Sequence, residues 1–192
     1  MRYREIGAFM QSLGQQAGLA SRALELTILT ACRTSEVLEA AWEEIDWHQR
    51  AWTIPGERMK NGKEHRIPLT LPALEVLRKV HGLHPRLVFP GARQDKPLSN
   101  MAMLMVLTRM GRTDITVHGF RSTFRDWVAE MTQYPEAIAE MCLAHTVGNA
   151  VENAYRRSDL FNRRRELMTD WANWCATVQP DLANEGDPGG DA

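Results

Sequence analysis

His118-Gly119-Phe120-Arg121-Ser122-Thr123-Phe124 is the stretch around which the rest of the chain falls into place. Its histidine and first arginine stand three residues apart, so on a helix they share one face. A helix's first turn also offers free N–H groups and a positive dipole end to an anion. His145 follows in Leu143-Ala144-His145-Thr146, and Tyr155 in Asn153-Ala154-Tyr155-Arg156-Arg157. Far upstream, Arg33 lies in Ala31-Cys32-Arg33-Thr34-Ser35-Glu36-Val37-Leu38. Two arginines, two histidines and a tyrosine suit a phosphodiester: cations for the non-bridging oxygens and a phenol to attack phosphorus. A phenol with an ordinary pKa near ~10 needs cations and a base beside it to act at neutral pH.

Outward from these boxes the chain reads as mainly helical with one short β insertion. Helices are expected over 4–17 and 21–31, the second capped by Ser21, and again over 33–41. From about 44 to 69 the texture changes to Ile45-Asp46-Trp47, Ala51-Trp52-Thr53-Ile54 and His65-Arg66-Ile67-Pro68-Leu69, short strand-like runs separated by turn residues. Lys60-Asn61-Gly62-Lys63 supplies the Asn-Gly of a tight hairpin turn. A three-stranded antiparallel sheet inserted in a helical domain is the economical reading. Helices resume at 71–81, with Thr70 as N-cap and Pro72 in the first turn. Pro85 to Pro97 reads as an irregular loop. Further helices follow from Ser99 to about Met110, over 118–132, from Pro135 to Leu143, around Asn149–Arg156, and from Leu160 to Val178. The stripe Phe161, Leu167, Trp171, Trp174, Val178 on the last helix is either core or an interface with a second copy.

Composition sets broad limits. The 192 residues, 44% hydrophobic and 24% charged, are those of an ordinary globular chain with room for one well-buried domain. No membrane span or signal peptide is visible, so a cytoplasmic location is expected. Cys32, Cys142 and Cys175 are odd in number and set among apolar residues, which favours reduced, buried thiols. The net charge of −1 argues, taken alone, against nucleic acid. Yet Asp181, Glu185, Asp187 and Asp191 all lie in the last twelve residues, where there is no Lys or Arg, and removing that tail leaves +3. Residues 1–180 are therefore expected to form a single domain and 181–192 an acidic, disordered tail.

The order, spacing and flanks of these boxes resemble the catalytic domain of tyrosine recombinases, the phage- and genomic-island-type integrases, from about Ala20 to Trp174. The resemblance implies an α+β, mainly helical DNA breaking-rejoining fold and a site-specific DNA strand transferase that needs no metal or other cofactor. By it, Arg33 and Arg121 clamp the scissile phosphate, and Glu36 holds the local structure around Arg33. His118 and His145 bond the phosphoryl oxygens or take the tyrosine proton. Tyr155 is the nucleophile that forms a 3′-phosphotyrosine. Lys60, six residues before Arg66, is the hairpin lysine that protonates the leaving 5′ oxygen, with Lys63 as the fallback. Ala31-Cys32 departs from the family, which often has Gly before the arginine; it reads as a packing change. The resemblance further implies double-stranded attachment sites as partner, a homo-tetramer on DNA from a chain monomeric alone, and separate N-terminal DNA-binding domains. Those domains are not seen here, as in a piece of a longer protein.

Three other readings compete. A type IB topoisomerase-like enzyme shares the strategy, but the flank of Tyr155 favours the integrase. A non-catalytic helical DNA-binding or regulatory module would not need the full set of side chains. A metal-dependent nuclease needs a cluster of carboxylates that no box supplies. Cys142 and His145 have a zinc-like Cys-x-x-His spacing, but no second pair completes four ligands.

Overall fold

The computed structural model describes residues 1–145 and 159–179. Tyr155, with Arg156 and Arg157, the helix expected around 149–156 and the acidic tail lie outside the described residues. Eight α-helices are described in chain order: α1 (Ile6–Gly14), α2 (Leu19–Thr30), α3 (Thr34–Leu38), α4 (Leu71–Val80), α5 (Ala102–Arg109), α6 (Gly119–Met131), α7 (Glu136–Cys142) and α8 (Phe161–Ala176). Between α3 and α4 comes a three-stranded sheet of β1 (Ile45–Asp46), β2 (Ala51–Ile54) and β3 (His65–Pro68). The strands lie in the order β1-β2-β3, all antiparallel, with Ile45 opposite Trp52 and Thr53 opposite Arg66. The mainly helical reading with a small sheet therefore holds.

Helix α2 is the axis of the fold. It packs against α1, α3, α4, α5 and α8, and it is buried on nearly every side, as a central helix must be. Its polar residues are satisfied internally: Thr27 and Thr30 donate to the carbonyls of Ala23 and Leu26, and Glu25 pairs with Arg22 at 3.1 Å. Burial still raises the Glu25 pKa, against the opposing charge of Arg22. The sheet turns Trp52, Ile54 and Ile67 into the same core, and α8 closes it with Leu167, Met168 and Trp171. Trp171 is fully buried and donates its indole N–H to the Ile28 carbonyl of α2. Trp174 is partly buried and donates to Tyr3. Leu167 and Trp171 of the stripe are therefore core, whereas Val178, beyond the end of the helix at Ala176, is exposed. All three cysteines are free and buried.

Several local expectations need correction. Helix α2 begins at Leu19, after Gly18 at φ +96°, and the Ser21 hydroxyl bonds back to Ala17 instead of capping. Thr70 does precede α4, with Pro72 in its first turn, but makes no side-chain cap bond. Helix α5 starts at Ala102, later than the expected Ser99 cap. The connection from β2 to β3 is also not a tight two-residue hairpin. It runs over 55–64 and contains a 3₁₀ turn at Gly56–Arg58; Gly62, at φ +67°, closes a second turn by donating to Met59. A Cβ on Gly56 would lie 2.6 Å from the Gly62 carbonyl oxygen, so the two turns are pressed together at that glycine. The loop from Pro85 to Pro97 is more ordered than its prolines suggest. Bridges join Ala41 to Leu87 and Pro90 to Pro97, and Val88 and Phe89 are wholly buried.

Candidate active site

The C-terminal end of α2 builds the first part of the site. Ala31 terminates the helix in the left-handed conformation, at φ +52°, and the chain then reverses so that Arg33 becomes the N-cap residue of α3. Glu36 reaches back to this turn: its carboxylate accepts from the Arg33 backbone N–H at 2.8 Å and from Nη1 at 2.7 Å. Glu36 is buried, whereas the Arg33 side chain is 24% exposed, so the guanidinium is steered by a carboxylate beneath it while staying accessible.

Arg121 is the hub. It lies in the first turn of α6 and is only 5% exposed. Nη1 donates to the Ala31 carbonyl, and Nη2 donates to the Leu143 carbonyl at 2.7 Å. One guanidinium thus ties the turn before Arg33 to the turn before His145. Nη2 is also 3.2 Å from His145 Nε2, and His145 Nδ1 is 2.6 Å from Glu140 Oε2. Only one protonation pattern satisfies both contacts: Nδ1–H donates to Glu140, and the Nε2 lone pair accepts from Arg121. Glu140 also lies 3.1 Å from Arg125 Nε. Burial is the main cause, and the like charge of Arg33 the next, of a lowered proton affinity at Arg121. Two guanidiniums close enough to repel are an arrangement that an anion between them would relieve.

His118 immediately precedes α6 and is exposed, with its carbonyl accepting from the Arg121 N–H at 3.1 Å. It therefore borders the same turn as Arg121. Lys60 and Lys63 are both exposed on the 55–64 connection, and no hydrogen bond or ion pair among the described residues joins either to the arginines. Arg58 anchors the base of that connection: it pairs with Glu44 and donates Nη2 to the Glu36 carbonyl at 2.7 Å.

Cys142 and His145 do not make a metal pair. The thiol is buried, with its pKa pushed up to about 12 by that burial, and both nitrogens of the imidazole are engaged by Glu140 and Arg121.

Three polar residues at this site are not marked out by the sequence. Glu140, the orienting partner of His145, reads there as one more exposed helical acid. Arg164 is 2% exposed and donates to the Arg66 carbonyl, to the Asp159 carbonyl at 2.8 Å and to Asp159 Oδ2 at 2.9 Å. It sits inside Arg163-Arg164-Arg165, which looks like a uniformly solvated run. His65, the first residue of β3, is buried and hydrogen-bonded to the Cys142 backbone. Burial, and then the charge of Arg164, holds its pKa down at about 4. A histidine depressed in the folded state keeps its full contribution above the unfolded value of ~6.5. It loses that contribution as pH falls from there towards 4. His65→Asn should therefore flatten the loss of stability between those two pH values, by on the order of 3 kcal/mol at pH 4 relative to pH 7. Urea unfolding of both chains at the two pH values measures this, and parallel losses would remove His65 as the cause.

Ala31 also needs a different account. The family's frequent glycine is explained by the backbone: φ +52° at a helix end is the conformation glycine adopts without cost. A packing change alone does not describe the alanine, which accepts that strain and still presents its carbonyl to Arg121. Ala31→Gly should keep the fold, whereas Ala31→Val, branched at Cβ, should destabilise by about 2 kcal/mol. Denaturant titration is the check, and a valine variant as stable as the parent would contradict the strain.

Residues 1–160 match the model of the phage integrase family. The chain is 35% identical over 188 residues to prophage integrase IntZ of Escherichia coli (strain K12), covering 96% of this chain and 46% of that protein. It is 35% identical over 150 residues to prophage integrase IntA of the same organism, covering 76% and 36% respectively. Against the integrase of Shigella phage Sf6 it is 30% identical over 177 residues, covering 88% of this chain and 46% of the phage protein. No solved structure matches the chain. The chain belongs to the phage integrase family. It spans less than half the length of these three relatives.

Proposed function

We propose that this chain is the catalytic domain of a site-specific DNA recombinase that cuts and rejoins double-stranded attachment sites of a mobile element. Tyr155 attacks the scissile phosphorus, and the bond to the 5′ oxygen breaks. A 3′-phosphotyrosine and a 5′-hydroxyl result, so the bond energy is kept for rejoining. The observation that carries the reading is the Arg121 hub, where one buried guanidinium joins the Arg33 turn, the His145 turn and the His145–Glu140 pair. Arg33 and Arg121 stabilise charge that grows on the phosphoryl oxygens. His145 takes the tyrosine proton on Nε2 once the bond from Arg121 to that nitrogen gives way, and Glu140 stabilises the imidazolium that forms. His118 bonds a phosphoryl oxygen, and Lys60 delivers a proton to the leaving oxygen from the 55–64 connection. Residues 1–180 act as one domain, on DNA as a tetramer and in the cytoplasm. Among the described residues no helix is long and apolar enough to cross a membrane.

A nicked suicide duplex incubated in EDTA tests the chemistry. Covalent protein–DNA product is the expected result. Cleavage that returns only with added divalent metal would mean a nuclease, and binding without either product would mean a regulatory module.

A further inference from the structure

His65 and Arg66 are neighbours on β3, so their side chains leave opposite faces of the sheet. Behind the Arg66 face lies a cleft of about 650 Å³, between the turn that joins β1 to β2 and the start of α8. Its walls include His48, Gln49, Arg66, Phe161, Arg163 and Arg165. The Arg66 and Arg165 guanidiniums lie 4.2 and 4.9 Å from the centre of the Phe161 ring. Arg165 is also fixed by a 2.8 Å bond to the Gln49 carbonyl. Contact with the ring holds the two planar cations at the cleft wall at low conformational cost.

Among the described residues Asp159 is the one carboxylate lining the cleft, and its charge is already committed. Oδ2 lies 2.9 Å from buried Arg164 and 3.4 Å from Arg66, and Oδ1 accepts from the Phe161 N–H. One carboxylate shared by Arg164 and Arg66 leaves Arg163 and Arg165 as excess positive charge around the opening. Arg163 is exposed and makes no ion pair among the described residues, so its charge serves no contact of the fold described here. Such a set fits an anion with several oxygens.

We propose that this cleft binds a backbone phosphate of the DNA duplex away from the scissile position. The proposal rests on the strand-transfer reading for the identity of the polyanion. Strand β3 links the two places: His65 is held on one face beside Glu36 and Arg33, and Arg66 lines the cleft from the other. Asp159, on the cleft wall, lies four residues beyond Tyr155 in the chain. A duplex carries one phosphate per ~3.4 Å along each strand, so a strand gripped at Arg33 and Arg121 presents further phosphates to its flanks. The grip is on the backbone and carries no sequence preference.

The test is the salt dependence of binding to a fluorescein-labelled duplex of about 30 base pairs and arbitrary sequence, followed by anisotropy with the full chain between roughly 50 and 200 mM NaCl. Arg163→Gln/Arg165→Gln should weaken binding at low salt roughly tenfold, and the slope of log K against log salt should become shallower by about 0.9 for each phosphate left without its arginine. Arg78→Gln/Arg109→Gln removes two exposed arginines from α4 and α5 and should leave the slope as in the parent. An unchanged slope in the cleft variant, or an equal loss in the α4/α5 variant, overturns the proposal. The suicide-duplex assay on the parent separates the two readings. Covalent product together with an unchanged cleft slope sinks the cleft alone. Duplex binding without covalent product sinks strand transfer, and the slopes still decide the cleft. A parent chain that binds no duplex sinks both.

Discussion

Tyr155→Phe should abolish the covalent protein–DNA product while leaving duplex affinity within about twofold of the parent. The substitution removes one oxygen and no apolar surface. The loss should be complete, because a benzyl side chain offers no nucleophile. Denaturing gels with a nicked, end-labelled duplex give the covalent yield, and anisotropy gives the affinity. A variant that still traps the 3′ end would pass the role to another residue. Tyr134 is the first to test, although the structure speaks against it. Burial, and then its 2.8 Å bond to Asp170, pushes its pKa up to about 12, the wrong direction for a phenol that must lose its proton.

The two arginines should fail in different ways. Arg33→Ala is expected to cut the cleavage rate by about 10³ with a smaller loss of stability than at Arg121, since buried Glu36 loses the guanidinium but keeps its bond from the residue-33 backbone N–H. Arg33→Lys should recover little, because an ammonium cannot reproduce the planar fork. Arg121→Ala should lose at least as much activity and also destabilise the domain by about 3 kcal/mol. It strands the carbonyls of Ala31 and Leu143 in a buried setting and frees His145 from one of its two partners. Single-turnover cleavage and urea unfolding, measured side by side, resolve the split. Equal stability losses would mean that Arg121 is not the hub its hydrogen bonds describe.

What is legible in the sequence is whatever is encoded locally. Arg33-Thr34-Ser35-Glu36 and His118-Gly119-Phe120-Arg121 carry their geometry in a spacing of three, and a helix turn enforces it. The alternation of the β2 and β3 residues likewise shows a sheet before any partner is known. Arg164 and His65 are opaque for the opposite reason. Nothing near Arg164 distinguishes it from Arg163 and Arg165; its burial comes from β3, nearly a hundred residues earlier in the chain. His65 owes its environment to Cys142 and Arg164, which reach it only once α7 and α8 have docked. The Ala31 turn is hidden because an alanine gives no warning of a left-handed φ. The hairpin misleads because Asn61-Gly62 signals a turn without giving the length of the connection around it.

Helix α8 has a consequence for synthesis on the ribosome. Its residues complete pairings begun at the other end of the chain: Trp174 meets Tyr3, Trp171 reaches Ile28, and Arg164 holds the carbonyl of Arg66. Pairings so distant in sequence form late, because the intervening loop must close before they contribute. A nascent chain that has made Arg33, Lys60, His118, Arg121 and His145 therefore still lacks the wall against which α2 and β3 pack. The proposed catalytic groups are framed only when translation has passed Ala176, so a prematurely terminated product carries most of those side chains without the frame that places them.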